Sequence, residues 1–169
     1  MLTGPGIVRE IKSGKIVIDP FDPDCVNPNS YDLHLGRTLL IYSNSELFVG
    51  TDNPATKVEI GSNGFRLEPG TLYLGTTLEW TETHAPWAPS ISGKSSLGRL
   101  GLNIHATAGF GDVGFCGEWT MELFVIQPLT VHVGMRVCQI VYHRTEGEIQ
   151  KYNGRYQNQR EPQASRIEK

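Results

Sequence analysis

Glycine and proline punctuate this chain from end to end, and that spacing limits the possible fold more than any other feature. Of 169 residues, 29 are Gly or Pro (19 plus 10), scattered in short clusters and not massed in one linker. Such punctuation leaves room for many short strands joined by turns and for few helices. Only residues 2–14 read as a helix: Thr3 can cap it, Pro5 suits its first turn, Gly14 stops it, and Ile7, Val8 and Ile11 share a face. The expectation is a mainly all-β fold, a distorted β-barrel or jelly-roll-like sandwich with a short N-terminal helix. The length fits one domain over 1–169 with a real core.

In order, residues 15–19 read as a short strand and 20–30 as a proline-punctuated loop. In 30–36, Tyr31, Leu33 and Leu35 alternate with Asp32 and His34, giving a strand with one polar face. Asp32 reads as a structural carboxylate, bonded to nearby backbone or hydroxyls. The sheet continues through 37–42, and 44–64 reads as a polar surface excursion. Residues 64–80 read as strand, Pro-Gly turn, strand, with Leu72, Leu74 and Thr76 on one face and Tyr73 and Gly75 on the other. Pro86 and Pro89 are expected to break the chain before Ile91. A strand ends at Ile126, Gln127-Pro128-Leu129 turns, and Gly134-Met135 marks a turn within 131–142. Residues 145–169 are polar, with few core-forming side chains, and read as a flexible C-terminal tail.

Charge and cysteine content narrow the function. Lys plus Arg (15) against Asp plus Glu (18) gives −3, and no basic stripe alternates with aromatics, so no nucleic-acid surface is indicated. An anionic ligand must then be held by a local cluster. Cys25, Cys116 and Cys138 are odd in number, widely spaced and free of any C-x-x-C, against a disulfide framework or a structural zinc site. A reduced, cytoplasmic setting follows. No charged leader precedes an apolar core and no apolar run approaches ~20 residues, so neither export nor a membrane span is expected.

The chemistry-bearing residues concentrate in 93–122. That stretch opens on Gly93-Lys94-Ser95-Ser96 and Arg99, a small-residue turn with two hydroxyls and two cations. Such a set suits an anionic phosphate group, and it equally describes a polar surface turn. The Walker order G-x-x-x-x-G-K-[ST] is absent. The stretch closes on Glu122 within Met-Glu-Leu-Phe-Val-Ile. Met121, Leu123 and Val125 share one strand face; Glu122, Phe124 and Ile126 share the other. Glu122 is either a solvated residue on an open face or, since both faces are apolar, an acid on a strand covered on both sides. In the second case desolvation raises its pKa toward neutrality and suits it to general acid/base work. His105 reads as a packed, hydrogen-bonded residue, and Asp112, in Gly111-Asp112-Val113-Gly114, as a turn residue first and a ligand second. The zinc-deaminase pair H-x-E and P-C-x-x-C is missing, as is the serine-hydrolase G-x-S-x-G.

Several of these motifs together resemble one family. Gly93-Lys94-Ser95-Ser96-Leu97-Gly98-Arg99-Leu100-Gly101-Leu102, His105-Ala106-Thr107-Ala108-Gly109, Asp112, Gly114-Phe115, Gly117 and Glu122-Leu123 resemble the dCTP deaminases of the trimeric dUTPase-like superfamily. The likeness extends over nearly the whole chain. It includes Ile16-Val17-Ile18-Asp19-Pro20-Phe21, Asn29-Ser30-Tyr31-Asp32-Leu33-His34-Leu35-Gly36, and Tyr156-Gln157-Asn158-Gln159-Arg160-Glu161-Pro162 in the tail. The resemblance implies a dUTPase-like barrel, a homotrimer with active sites between subunits, and hydrolytic deamination of dCTP without zinc. Glu122 falls where the family has its general acid/base, and Ser95 and Arg99 where it orients the water and steadies the base. Lys94, a substrate-binding position on this resemblance, stands where Arg is more usual and keeps the charge without the bidentate fork, and Ser96 would contact phosphate. Asp112, Thr120 and Met121 would line the nucleoside pocket, the last two through backbone groups. Tyr152, Arg155 and Gln159 align with residues that close over the nucleotide. Magnesium would ride on the triphosphate. Ala108-Gly109-Phe110 is similar to members that both deaminate and cleave to dUMP. A dUTPase without deaminase activity and a non-catalytic nucleotide-binding barrel are the competing readings.

Overall fold

A computed structural model describes residues 1–167 of the chain. It opens with helix α1 (Gly4–Lys12), capped as the sequence predicts: Gly6 N–H donates to Thr3 Oγ1 at 3.3 Å. Ile7 is fully buried. Glu10 is buried too, because Trp87 Nε1–H donates to its Oε2 at 3.2 Å.

The remainder is β-structure: β1 (Ile16–Asp19), β2 (Tyr31–Tyr42), β3 (Ala55–Glu59), β4 (Phe65–Leu67), β5 (Tyr73–Thr77), β6 (Trp80–Thr83), β7 (Trp87–Gly93), β8 (Leu102–Asn103), β9 (Cys116–Gly117), β10 (Thr120–Val125), β11 (Leu129–Val131) and β12 (Arg136–Arg144). A one-turn helix, α2 (Ser95–Gly98), follows β7. The main sheet runs β7-β12-β2-β5-β10-β8, with β3 also on β2. β1-β6-β9 and β11-β4 form smaller sheets. The core lies between them, built on Tyr31, Leu33, Leu35, Met121, Leu123 and Ile140, each fully buried. Among the described residues no helix is long and apolar enough to cross a membrane.

Four local expectations change. The excursion at 44–64 contains β3, which pairs with β2 from Thr38↔Glu59 to Tyr42↔Ala55; its polar side chains hid a strand half open to water. β4 and β5 do not pair with each other, because β4 takes β11 (Leu67↔Leu129) while β5 lies between β2 and β10. Pro89 sits inside β7, opposite Tyr142, and only Pro86 precedes the strand. That is tolerable because β7 is the edge of its sheet, where a missing donor costs no ladder bond. The polar face of β2 is itself covered: Asp32 is buried, and His34 pairs with the buried Glu79.

Candidate active site

Strand β10 is the wall on which the site is built. Its burial alternates, with Met121, Leu123 and Val125 in the core and Thr120, Glu122 and Phe124 half-buried. The expectation that both faces are covered is therefore corrected for the single chain. The second face looks onto a cavity of about 400 Å³ that Thr120 and Glu122 line. Farther along the same face Ile126 is 70% exposed. A one-residue shift would bury Glu122 in the core and expose Leu123, so the apolar pattern of the inner face sets which side the acid takes.

Glu122 is held from both sides. Its residue is opposite Leu74 of β5, and its N–H donates to Ile104 O at 2.8 Å. The loop after β8 then turns under the side chain, and Ala106 N–H donates to Oε2 at 2.7 Å, with Thr107 N–H at 3.4 Å. A carboxylate fixed by backbone donors has a defined orientation toward whatever enters the cavity. His105, in the same loop, does not meet the expectation of a hydrogen-bonded packing residue. Its Nδ1 is buried without a partner among the described residues, and its ring lies against Gly109, where an added Cβ would come within 2.7 Å of Nε2.

An aromatic wall lines the same cavity as Glu122. Phe115 lies 5.1 Å from Trp119 and 5.9 Å from Tyr152, centroid to centroid. Trp119 is pinned by two bonds, its N–H to Thr77 Oγ1 (2.9 Å) and its Nε1–H to Thr81 Oγ1 (3.0 Å). Flat, rigid aromatic faces of this kind suit a planar ring. Burial pushes the thiols of Cys25, Cys116 and Cys138 up from the ordinary cysteine value, which leaves them protonated and unsuited to attack.

The tail closes one side of the cavity. Gln159 bridges to Gly117 in parallel, Asn158 N–H donates to Cys116 O at 2.8 Å, and Glu161 N–H donates to Glu118 Oε2 at 2.7 Å. Gln159 is 9% exposed; its Nε2 donates to Glu118 O at 2.6 Å, while its Oε1 is buried without a partner among the described residues. A buried acceptor left open at a cavity wall is a place for a ligand donor. Residues 168 and 169 of the predicted tail lie outside the described residues.

Of the site residues read from the sequence, Glu122, Asp112, Thr120, Tyr152 and Gln159 line this one cavity. Met121 does not: its side chain is fully buried on the opposite face of β10. Arg155 lies on the tail, where its guanidinium donates to Arg166 O at 2.7 Å. Ser95, Ser96 and Arg99 sit on or beside α2, exposed, and Lys94 precedes them; none lines the cavity. One chain thus assembles the carboxylate half of the predicted site and presents the hydroxyl-and-cation half elsewhere.

The profile of the dCTP deaminase-like family matches residues 1–145, most of the chain. The chain belongs to the dCTP deaminase family. A Cytophaga hutchinsonii relative named "dCTP deaminase, dUMP-forming" is 47% identical over 96% of this chain and 94% of its own length. A relative of the same name from Leptospira biflexa is 50% identical over 93% of this chain and 90% of its own. The fold is shared with a solved 2'-deoxycytidine 5'-triphosphate deaminase from Agrobacterium tumefaciens at a TM-score of 0.69 and 24% identity; the match covers 85% of this chain and 47% of that one. A bacteriophage 80alpha dUTPase shares it more distantly, at a TM-score of 0.50 and 12% identity. For a chain of the dCTP deaminase family, sequence reasoning missed Tyr42, Trp119 and Tyr156 as cavity residues. Tyr42 carries no motif signal, being brought in by sheet order from the far end of β2.

Proposed function

We propose that the chain deaminates dCTP hydrolytically, with Glu122 moving the protons, and carries the product on to dUMP. The observation that bears most weight is the backbone-clamped carboxylate of Glu122 facing a cavity with an aromatic wall. Full-length relatives named for the dUMP-forming reaction support the same reading.

In the first step water adds to the ring carbon that carries the amine, and its proton passes to Glu122. The carboxyl returns protons to the adjacent ring nitrogen and to the departing amine, giving dUTP and ammonia. A second water then attacks the α-phosphorus, and diphosphate leaves from dUMP. Gln159 Oε1 offers an acceptor to the nucleotide, and Tyr152 and Asp112 flank the sugar and base. Thr120 presents its backbone at the same wall. Ser95, Ser96 and Arg99 orient the water and hold phosphate from a second chain in a homotrimer, which accounts for their place outside the cavity of one chain. The described part of the tail, 145–167, acts as a flexible closing segment, opening to admit dCTP and closing over it.

Among the described residues no three His, Cys, Asp or Glu converge to hold a metal ion. Magnesium on this reading enters as part of the substrate, bound to the triphosphate, and the deamination step uses protein carboxylate chemistry.

The test is a product assay with dCTP and Mg²⁺ that resolves ammonia, dUTP and dUMP. Ammonia with dUMP supports the full reading, and ammonia with dUTP alone limits it to deamination. Turnover of dUTP without any attack on dCTP would make the protein a dUTPase. Tight binding with no turnover would make it a non-catalytic barrel.

A further inference from the structure

Lys94 is tied down in a way that the motif around it does not announce. Its Nζ lies 2.6 Å from Asp32 Oδ2, and the Asp32 side chain is only 3% exposed. The other carboxylate oxygen accepts from Asn27 Nδ2 at 2.9 Å. Arg136, 43% exposed, is the second cation, at 3.9 Å from Oδ2. Gln139, opposite Asp32 in the ladder, is engaged by Ser30 Oγ at 2.9 Å. The carboxylate therefore rests on a cation and an amide, and not on the backbone or hydroxyls that the sequence led one to expect.

The path of the tether matters. Lys94 directly follows β7, and β12 lies between β7 and β2, where Asp32 sits. Two strand spacings amount to about 10 Å, so the lysine and aspartate side chains together bridge the intervening strand to meet. At its other end, Lys94 is the residue from which α2 starts. Its carbonyl accepts from Leu97 N–H (3.0 Å) and Gly98 N–H (2.9 Å), and α2 has no side-chain cap. A four-residue helix without a cap has little stability of its own. Its direction is set by the packing of Leu97 against the core and by what holds Lys94, the residue before its first turn.

We infer that Lys94 is a positioning residue: the buried Asp32 holds its ammonium, and this tether aims α2 so that Ser95, Ser96 and Arg99 meet the nucleotide, while Lys94 itself contacts no phosphate. The inference rests on the proposed deaminase function. A shift of Lys94 to a phosphate would leave a nearly inaccessible carboxylate with one amide and a distant guanidinium, which is strongly unfavourable.

The experiment is a double-mutant cycle in the full chain with Lys94→Met, Asp32→Asn and the pair, well below the melting temperature of each. Turnover of dCTP and dCDP is measured, together with dCTP binding by calorimetry. Lys94→Arg, which can keep the ion pair, is the rescue variant. The expected result is a fall in kcat of about tenfold or more in each single variant, as for a small misplacement of catalytic groups. The dCTP-to-dCDP preference should change equally in both, the double variant should be no worse than the worse single one, and Lys94→Arg should stay close to the parent. A tenfold rise in KM and loss of triphosphate preference in Lys94→Met alone, with Asp32→Asn fully active, would overturn the tether and make Lys94 a phosphate ligand. Lowered melting temperatures with kcat and KM unchanged would overturn it too, leaving a purely structural pair. If Asp32→Asn does not fold, Lys94→Met and Lys94→Arg still decide through KM against kcat. If the parent protein turns over no dCTP, the functional reading fails by itself. The same cycle on dCTP and dCDP affinity then judges the tether separately.

Discussion

The strand that carries Glu122 and the segment that carries Ser95, Ser96 and Arg99 are built in opposite ways. β10 is interior to its sheet, paired with β5 on one side and β8 on the other, and its inner residues are fully buried. Glu122 inherits that rigidity, and the loop above it adds backbone donors. The 95–99 segment has one turn of helix, exposed Ser95, Ser96 and Arg99, the partly buried Leu97 and an ion pair of Lys94 at its root. A general acid/base must sit where water is partly excluded and geometry is fixed. Groups that bind phosphate or complete a site across a subunit boundary must stay at the surface until the partner arrives. The contrast teaches that exposure of predicted site residues in one chain does not count against their role.

Replacement of Glu122 by Gln is the strongest way to break the contrast. It should lower dCTP deamination by about 10³-fold while dCTP binding changes only a few-fold, as ammonia release and calorimetry will read. A Glu122→Gln protein of undiminished turnover would remove the carboxylate half of the site. Complementation sharpens the other half. Glu122→Gln and Ser95→Ala chains, each inactive alone, should regain measurable deamination when unfolded and refolded together, since a site shared between chains can then pair one intact half with the other. No recovery in mixed oligomers would place both halves in one chain.

The root of the surface segment makes a stability prediction. Asp32→Asn should cost about 2 kcal/mol in urea unfolding. That lies below the ~3–5 kcal/mol of a fully buried pair because Lys94 can reach water. Gln159→Ala should raise KM for dCTP by about tenfold with little change in kcat, the loss of about one hydrogen bond to the nucleotide. A pH dependence comes from the core and appears only at strongly alkaline pH. Burial pushes the Tyr31 phenol up from 10.0 to about 12, partly offset by the bond its oxygen accepts from Asp22 N–H. The folded state keeps the proton longer than the unfolded chain. This contribution is therefore fully present below pH 10 and is lost as pH rises through about 12. Melting curves across that range should show the loss, and Tyr31→Phe should lack it.

The sequence alone determined the all-β class, the N-terminal helix and one half of the chemistry, but not β3 or α2. Gly and Pro spacing pointed to a strand-rich chain, Thr3 and Gly14 bounded α1, and the alternation at 121–125 set Glu122 on the face opposite Met121, Leu123 and Val125. These are local properties, written in neighbours two to four residues apart. Tertiary structure decided what strand order brings together. It placed Tyr42 and Gln159 at the cavity of Glu122, gave Pro89 an edge strand to occupy, and paired Lys94 with a carboxylate two strands away. Partners separated by tens of residues leave no periodic trace in the chain, because what joins them is the order of strands in a sheet and not any repeat along the backbone.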